Sequence, residues 1–102
     1  MSFSAQSHGT NGLVLLDGRF TFECHQAFKA ATDPLLEAPG IQQIQLDLSG
    51  VNYMDSSSLG MLLVLREKAE SRGQSIALVR PAPCVITILK VVQFGKLFQI
   101  LA

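Results

Sequence analysis

Eleven residues, Val51 to Met61, do most to restrict how this chain can fold. They read Val-Asn-Tyr-Met-Asp-Ser-Ser-Ser-Leu-Gly-Met and join two segments of different periodicity. Ahead of them, Ile44-Gln45-Leu46-Asp47-Leu48 alternates apolar and polar, the period of a strand with one wetter face. Behind them, Leu59 to Arg72 carries Leu, Met, Val, Ala, Arg, Glu and Lys with no proline, which favours a helix. Asp55 or Ser56 is placed to cap that helix, because a short side-chain oxygen accepts from the free N–H groups of a first turn. Three consecutive serines therefore stand between a strand end and a helix mouth.

The flanking segments repeat the strand-helix alternation. The first ten residues are polar and predict a short edge strand or a frayed lead. Asn11-Gly12 is a turn, and Leu13 to Leu16 is a short strand expected to be buried on both faces and closed by Asp17-Gly18. A helix is predicted from about Glu23 to Glu37, with Thr21 as N-cap and Glu23 at the positive end of the dipole. Its apolar face carries Phe28, Ala31, Leu35 and Cys24, and Ala38-Pro39-Gly40 stops it. The central strand spans Ile41 to Leu48, and the helix after the serines ends near Ser71-Arg72-Gly73 with Gly73 as its C-cap. Ser75 to Val79 is a further strand. Pro83 opens a third helix, about Cys84 to Val92, that buries Val85, Ile88, Leu89 and Val92. Phe94-Gly95 ends it, and Leu97 to Leu101 is a last strand. The order β-β-α-β-α-β-α-β predicts an α/β fold in which a mixed sheet of four to five strands is covered by helices, as one domain over residues 1–102.

Composition narrows the function classes. A hydrophobic content of 48% in 102 residues is enough for a core. Formal net charge is zero and no basic run occurs, which argues against nucleic acid as a direct partner. No apolar run approaches the ~20 residues that span a bilayer, and the N-terminus lacks the pattern of a secretory signal. With Cys24 and Cys84 read as two buried thiols, a cytoplasmic protein is expected. The sequence leaves the oligomeric state open, since an apolar first strand either pairs edge to edge or is covered.

On a helical wheel, Leu62, Leu65 and Ala69 fall within about 40° of Ser58, which makes Ser58 an inward residue. Ser57 lies about 100° away, on the flank of Met61 and Val64, and is the serine best placed for outside access. Ser56 falls on the other side, near Leu63. Met61, Val64 and Leu63 beside an open hydroxyl suggest a partner-binding patch. Against this stands plain helix capping. Serine hydrolysis finds little support: His8 and His25 lie in segments without a motif, and no G-x-S-x-G elbow is present. The two histidines and two cysteines lack metal-ligand spacing, and there is no phosphate-binding loop or dinucleotide fingerprint, so no metal and no cofactor are expected.

Asp55-Ser56-Ser57-Ser58-Leu59-Gly60, preceded by Leu46-Asp47-Leu48-Ser49-Gly50-Val51 and Met54, resembles the signature of STAS domains, and more narrowly of the bacterial anti-sigma factor antagonists. Gly18-Arg19-Phe20 matches the family's turn before its first helix, and the likeness covers essentially the whole chain. The resemblance implies a SpoIIAA-like fold and a binding module rather than an enzyme. It implies that an anti-sigma factor of the GHKL serine-kinase type phosphorylates Ser57, with Asp55, Ser56 and Ser58 as the switch neighbourhood. It also implies that a PP2C-type serine phosphatase resets the protein, and Met54, Met61, Leu63, Val64 and Thr21 are the residues expected to face the partner. The unphosphorylated form would bind the anti-sigma factor and free a sigma factor. Two positions depart from the pattern: Ser58 stands where glycine is commonest, and Thr21 where many members have aspartate. The alternative is a STAS subunit docked permanently on a transporter ATPase or a stress-signalling assembly.

Overall fold

A computed structural model describes residues 1–101. The order is β1 (Ser2–His8), β2 (Asn11–Phe20), a 3₁₀ turn (Phe22–Cys24), α1 (His25–Glu37), β3 (Gln43–Met54), α2 (Ser56–Glu70), β4 (Ser75–Val79), α3 (Pro83–Val91), a second 3₁₀ turn (Phe94–Lys96) and β5 (Gln99–Leu101). The strands form one mixed sheet in the order β1-β2-β3-β4-β5. β1 pairs antiparallel with β2, and the other pairs are parallel. This is the expected order, and the mixed sheet covered by helices is the expected class.

The core lies on one face of the sheet. Val14 and Leu16 of β2, Ile44, Leu46 and Leu48 of β3, and Ile76 and Leu78 of β4 share one parity and are buried. α1 packs on β1 and β2, α2 on β4 and α1, and α3 on β3. On the other face, β2 exposes Leu15 and half-buries Leu13, so β2 alternates instead of being buried on both sides. Glutamines occupy the neighbouring strands there. Gln45 donates to Gln43 (3.0 Å), and Gln43 donates to Gln99 (3.2 Å) and Ser75 (3.3 Å).

β3 runs six residues beyond the expected end at Leu48. Its inward residues are Leu46, Leu48, Val51 and Met54, a spacing of two, three and three that hides the strand from an alternation test. Register shifts against β2 account for it: Asp47 pairs with Leu15 and Gly50 with Asp17, and then Val51 pairs with Gly18 and Tyr53 with Arg19. An extra residue at each bulge turns the strand and restores the core face. At the first bulge the backbones close in. A Cβ on Gly50 would stand 2.7 Å from Asp17 Oδ1 and 3.0 Å from the Leu16 carbonyl oxygen, which only glycine tolerates.

α1 starts later than expected, because Phe22–Cys24 is a separate 3₁₀ turn, and Thr21 makes no side-chain cap bond. Phe28, Thr32, Leu35 and Leu36 are its buried face. Pro34 lies on the exposed side of α1 and, having no N–H, leaves the Ala30 carbonyl without its helical donor. The carbonyls at the end of α1 are satisfied from a distance. The buried Gln74 amide donates to Leu35 (3.4 Å), Leu36 (3.3 Å) and Ile41 (3.0 Å). The C-cap of α2 is Ser71, not Gly73 as expected; Gly73, two residues on at φ +73°, turns the chain out, and the Gln74 N–H bonds back to Ala69 at 2.9 Å.

Two smaller expectations are corrected. Cys24 is buried, but Cys84 is exposed because it occupies the first turn of α3 at the rim of the sheet. Val92 is 39% exposed, since α3 ends at Val91 and Gln93 adopts a left-handed φ of 57° that swings the chain away.

Candidate functional site

α2 begins one residue after β3 ends, and Asp55 is the residue between them. Its extended backbone and short carboxylate suit an N-cap. Oδ1 accepts from the Ser58 N–H at 2.8 Å, and Oδ2 accepts from the Phe22 N–H at 3.4 Å. One side chain thus ties the mouth of α2 to the 3₁₀ turn that leads into α1. Ser58 is fully buried, and its hydroxyl donates to the Asp55 carbonyl at 2.7 Å. The wheel placed it inward, and it is inward. Ser56 and Ser57 are both exposed.

Ser57 stands on the wall of a groove of about 360 Å³ between α1 and α2. Phe28, Met61 and Leu65 are its apolar base, while Phe22, His25, Lys29, Val64 and Lys68 rise around it. Phe22 is 67% exposed and stacks on the His25 ring (centroids 6.2 Å apart). Val64 is 51% exposed. Lys68 is held loosely by Asp33 at 3.8 Å. On the other side of Phe22 a second cleft, about 340 Å³, is lined by Arg19, Thr21, Glu23, Tyr53 and Asp55. There the Arg19 guanidinium sits 4.3 Å over the Tyr53 ring.

The residues expected to face a partner divide. Val64 lines the groove and is open. Met61 lines it too, but as part of the buried base, because α1 covers this flank of α2. Met54 is buried against the core beside the second bulge and lines neither the groove nor the cleft. Leu63 is exposed but lies outside the groove. Thr21 is half-buried in the cleft beside Asp55. Sequence reasoning missed Phe22, His25, Lys29 and Lys68. The one local signal was a large aromatic two residues after Phe20, the last residue of β2, at a position that cannot join the α1 core face.

The rest of this sheet end is held by Asp47. It is buried, accepts from the Ser49 N–H at 2.9 Å, and pairs with Arg80. Burial pushes its carboxyl up. The bonds from Ser49 and the Arg80 guanidinium outweigh that and hold it below the usual aspartate value. Arg80 takes a left-handed φ of 48°, and its N–H donates to the Leu101 carbonyl. Among the described residues, no group of three or more His, Cys, Asp or Glu side chains is arranged to hold a metal ion, and no helix is long and apolar enough to cross a membrane.

Comparison with known proteins agrees with this geometry. The family model described as "Mlab, STAS domain" matches residues 3–101. A STAS-domain containing protein of Pseudomonas aeruginosa is 38% identical over 87 residues, 85% of this chain and 84% of that protein. The anti-sigma factor antagonist SpoIIAA in its unphosphorylated form superposes with a TM-score of 0.77 at 20% identity, covering 99% of this chain and 88% of that one. A candidate anti-sigma factor antagonist from Thermotoga maritima superposes with a TM-score of 0.87 at 25% identity, covering 98% and 86%. The fold also recurs in a sulfate transporter family protein from Wolinella succinogenes (TM-score 0.76, 19% identity, covering 90% and 76%). The chain belongs to the STAS domain family and has the fold of its anti-sigma factor antagonists.

Proposed function

We propose that this protein is a binding module, not an enzyme, whose grip on a partner is switched by phosphorylation of Ser57. The partner in this reading is an anti-sigma factor of the GHKL serine-kinase type. The unphosphorylated form holds it and releases a sigma factor, and a PP2C-type phosphatase resets the cycle. The observation that carries the reading is the contrast within the serine run. Ser58 is sealed and bonded to Asp55, while Ser57 is open on the wall of an apolar groove bordered by Phe22 and Val64.

The physics suits a switch without refolding. A phosphate adds about −1.5 to −2 charges, and a helix N-terminus tolerates them through free N–H groups and the dipole. Lys29 and Lys68 on the groove walls temper the field inside the module. A partner fitted to a neutral hydroxyl beside Phe22 and Val64 must instead desolvate a dianion. Losing two to three orders of magnitude in affinity takes only ~3–4 kcal/mol.

Intact-mass measurement after incubation with ATP and the anti-sigma kinase tests the proposal. One phosphate is expected on the unaltered chain and none on Ser57→Ala. A gain that survives Ser57→Ala would transfer the role to Ser56, the other exposed serine of the run.

A second reading uses the same groove. The STAS fold within a sulfate transporter family protein is compatible with constitutive docking on a transporter ATPase or similar assembly. Under that reading the chain takes up no phosphate, and Ser57→Ala leaves the complex intact.

A further inference from the structure

A second apolar groove lies away from Ser57. Its volume is about 320 Å³, and it runs between α3, the Phe94–Lys96 turn and β5. Ile86, Leu89, Gly95 and Ile100 form its walls, and Lys90 and Lys96 stand along it. It shares no lining residue with the Ser57 groove. The apolar surface continues outside it: Val91 is 77% exposed, and Val92 and Leu97 are also exposed.

The charged residues that line the groove are of one sign: Lys90 and Lys96 are among its lining residues and no acidic residue is, Glu70 being paired with Arg66 beside Leu97. All eight acidic residues precede Ser71, whereas Arg72, Arg80, Lys90 and Lys96 follow it. Among the described residues neither Lys90 nor Lys96 has an ion-pair partner. An apolar trough flanked by unpaired cations is complementary to an apolar stripe flanked by carboxylates.

We propose that this groove docks an acidic amphipathic helix of a partner protein, independently of Ser57. A helix is favoured over an added strand because β5 has only three residues and offers few free backbone groups. Apolar side chains three and four apart on the incoming helix would enter between Ile86, Leu89 and Ile100, leaving its carboxylates beside Lys90 and Lys96. A membrane surface is less well matched. Interfacial helices bring aromatic anchors and many cations, while Phe94 and Phe98 are buried here and two lysines remain. The inference does not rest on the Ser57 switch. It adds a binding surface that stays available in both phosphorylation states.

The test titrates isotope-labelled full chain with a designed acidic amphipathic helix of about four turns and follows amide shifts. Saturable shifts are expected at Val91, Gly95, Lys96 and Ile100, with residues 55–60 unmoved. The double variant Lys90→Glu/Lys96→Glu should weaken binding about tenfold or more. Gly95→Leu should block it by filling the groove: a Cβ there meets only Ile100 Cδ1, at 4.0 Å, so the fold is spared. Ser57→Asp should leave the affinity unchanged, which keeps this test separate from that of the switch. No shift at millimolar peptide, shifts centred on Ser57, or equal binding of a peptide with Lys for every acidic residue would each overturn the proposal. So would sedimentation with anionic vesicles, or self-association, that Lys90→Glu/Lys96→Glu removes, by assigning the groove to lipid or to a second copy.

Discussion

α2 and α3 both begin where a parallel strand ends, and they begin in different ways. α2 has Asp55 as its cap, accepting from Ser58 and reaching across to Phe22. α3 has Ala82, with no side-chain cap bond, and relies on Pro83 to set its first turn. The polar anchorage near α3 lies back in the sheet, where Asp47 holds Ser49 and Arg80. Cys84, in the first turn of α3, is exposed as Ser57 is, but it lines neither the Ser57 groove nor the cleft on the other side of Phe22. The comparison teaches that an open residue at a helix start becomes a candidate site when its cap also fixes a second element against it.

The largest test of that contrast is charge at each start. Ser57→Asp should lower partner affinity by two to three orders of magnitude, about 3–4 kcal/mol in titration calorimetry. Cys84→Asp should change it less than twofold, roughly the noise of such a measurement. Equal losses would mean that net charge, not position, governs binding. Next in size is the cap. Asp55→Ala should cost about 1–2 kcal/mol in urea unfolding, since both the Ser58 and Phe22 amides lose their acceptor. Asp55→Asn should keep most of the cap yet weaken phosphorylation of Ser57, and matching losses in both readouts would contradict a separate role in transfer. The reverse experiment is Ala82→Ser, which should stabilise α3 by about 0.5–1 kcal/mol without affecting partner binding.

The smallest effect concerns pH. Asp47 has a folded pKa below its unfolded value, so its contribution is complete above the unfolded pKa and is lost as pH falls through the folded one. Urea midpoints measured downward from pH 5 should fall less steeply for Asp47→Asn than for the unaltered chain. A parallel fall would show that Asp47 does not carry the acid sensitivity.

Much of this arrangement was legible in the residues. The inward Ser58 and outward Ser57 followed from the α2 wheel, and the strand-helix order followed from alternation, proline and glycine. The extent of β3 was not legible, because Val51 and Met54 fall out of alternation with Leu48 at bulges that exist only opposite β2. Nor was the burial of Met61, whose position on the wheel flank reads as exposed until α1 is packed over it. The second apolar groove had a visible charge signature in the acid-free stretch after Glu70, but its walls come from α3, the Phe94–Lys96 turn and β5 together.

By itself the sequence determined the element order, the capped start of α2 and which serine of the run points out, since periodicity and capping act within a few residues of each other. Only the tertiary structure decided what Ser57 faces. Phe22, His25 and Lys29 reach it across more than twenty-five intervening residues, on a 3₁₀ turn and a helix whose placement is set by sheet pairing and core packing. A groove is a relation between two elements, and no pattern within either one records it.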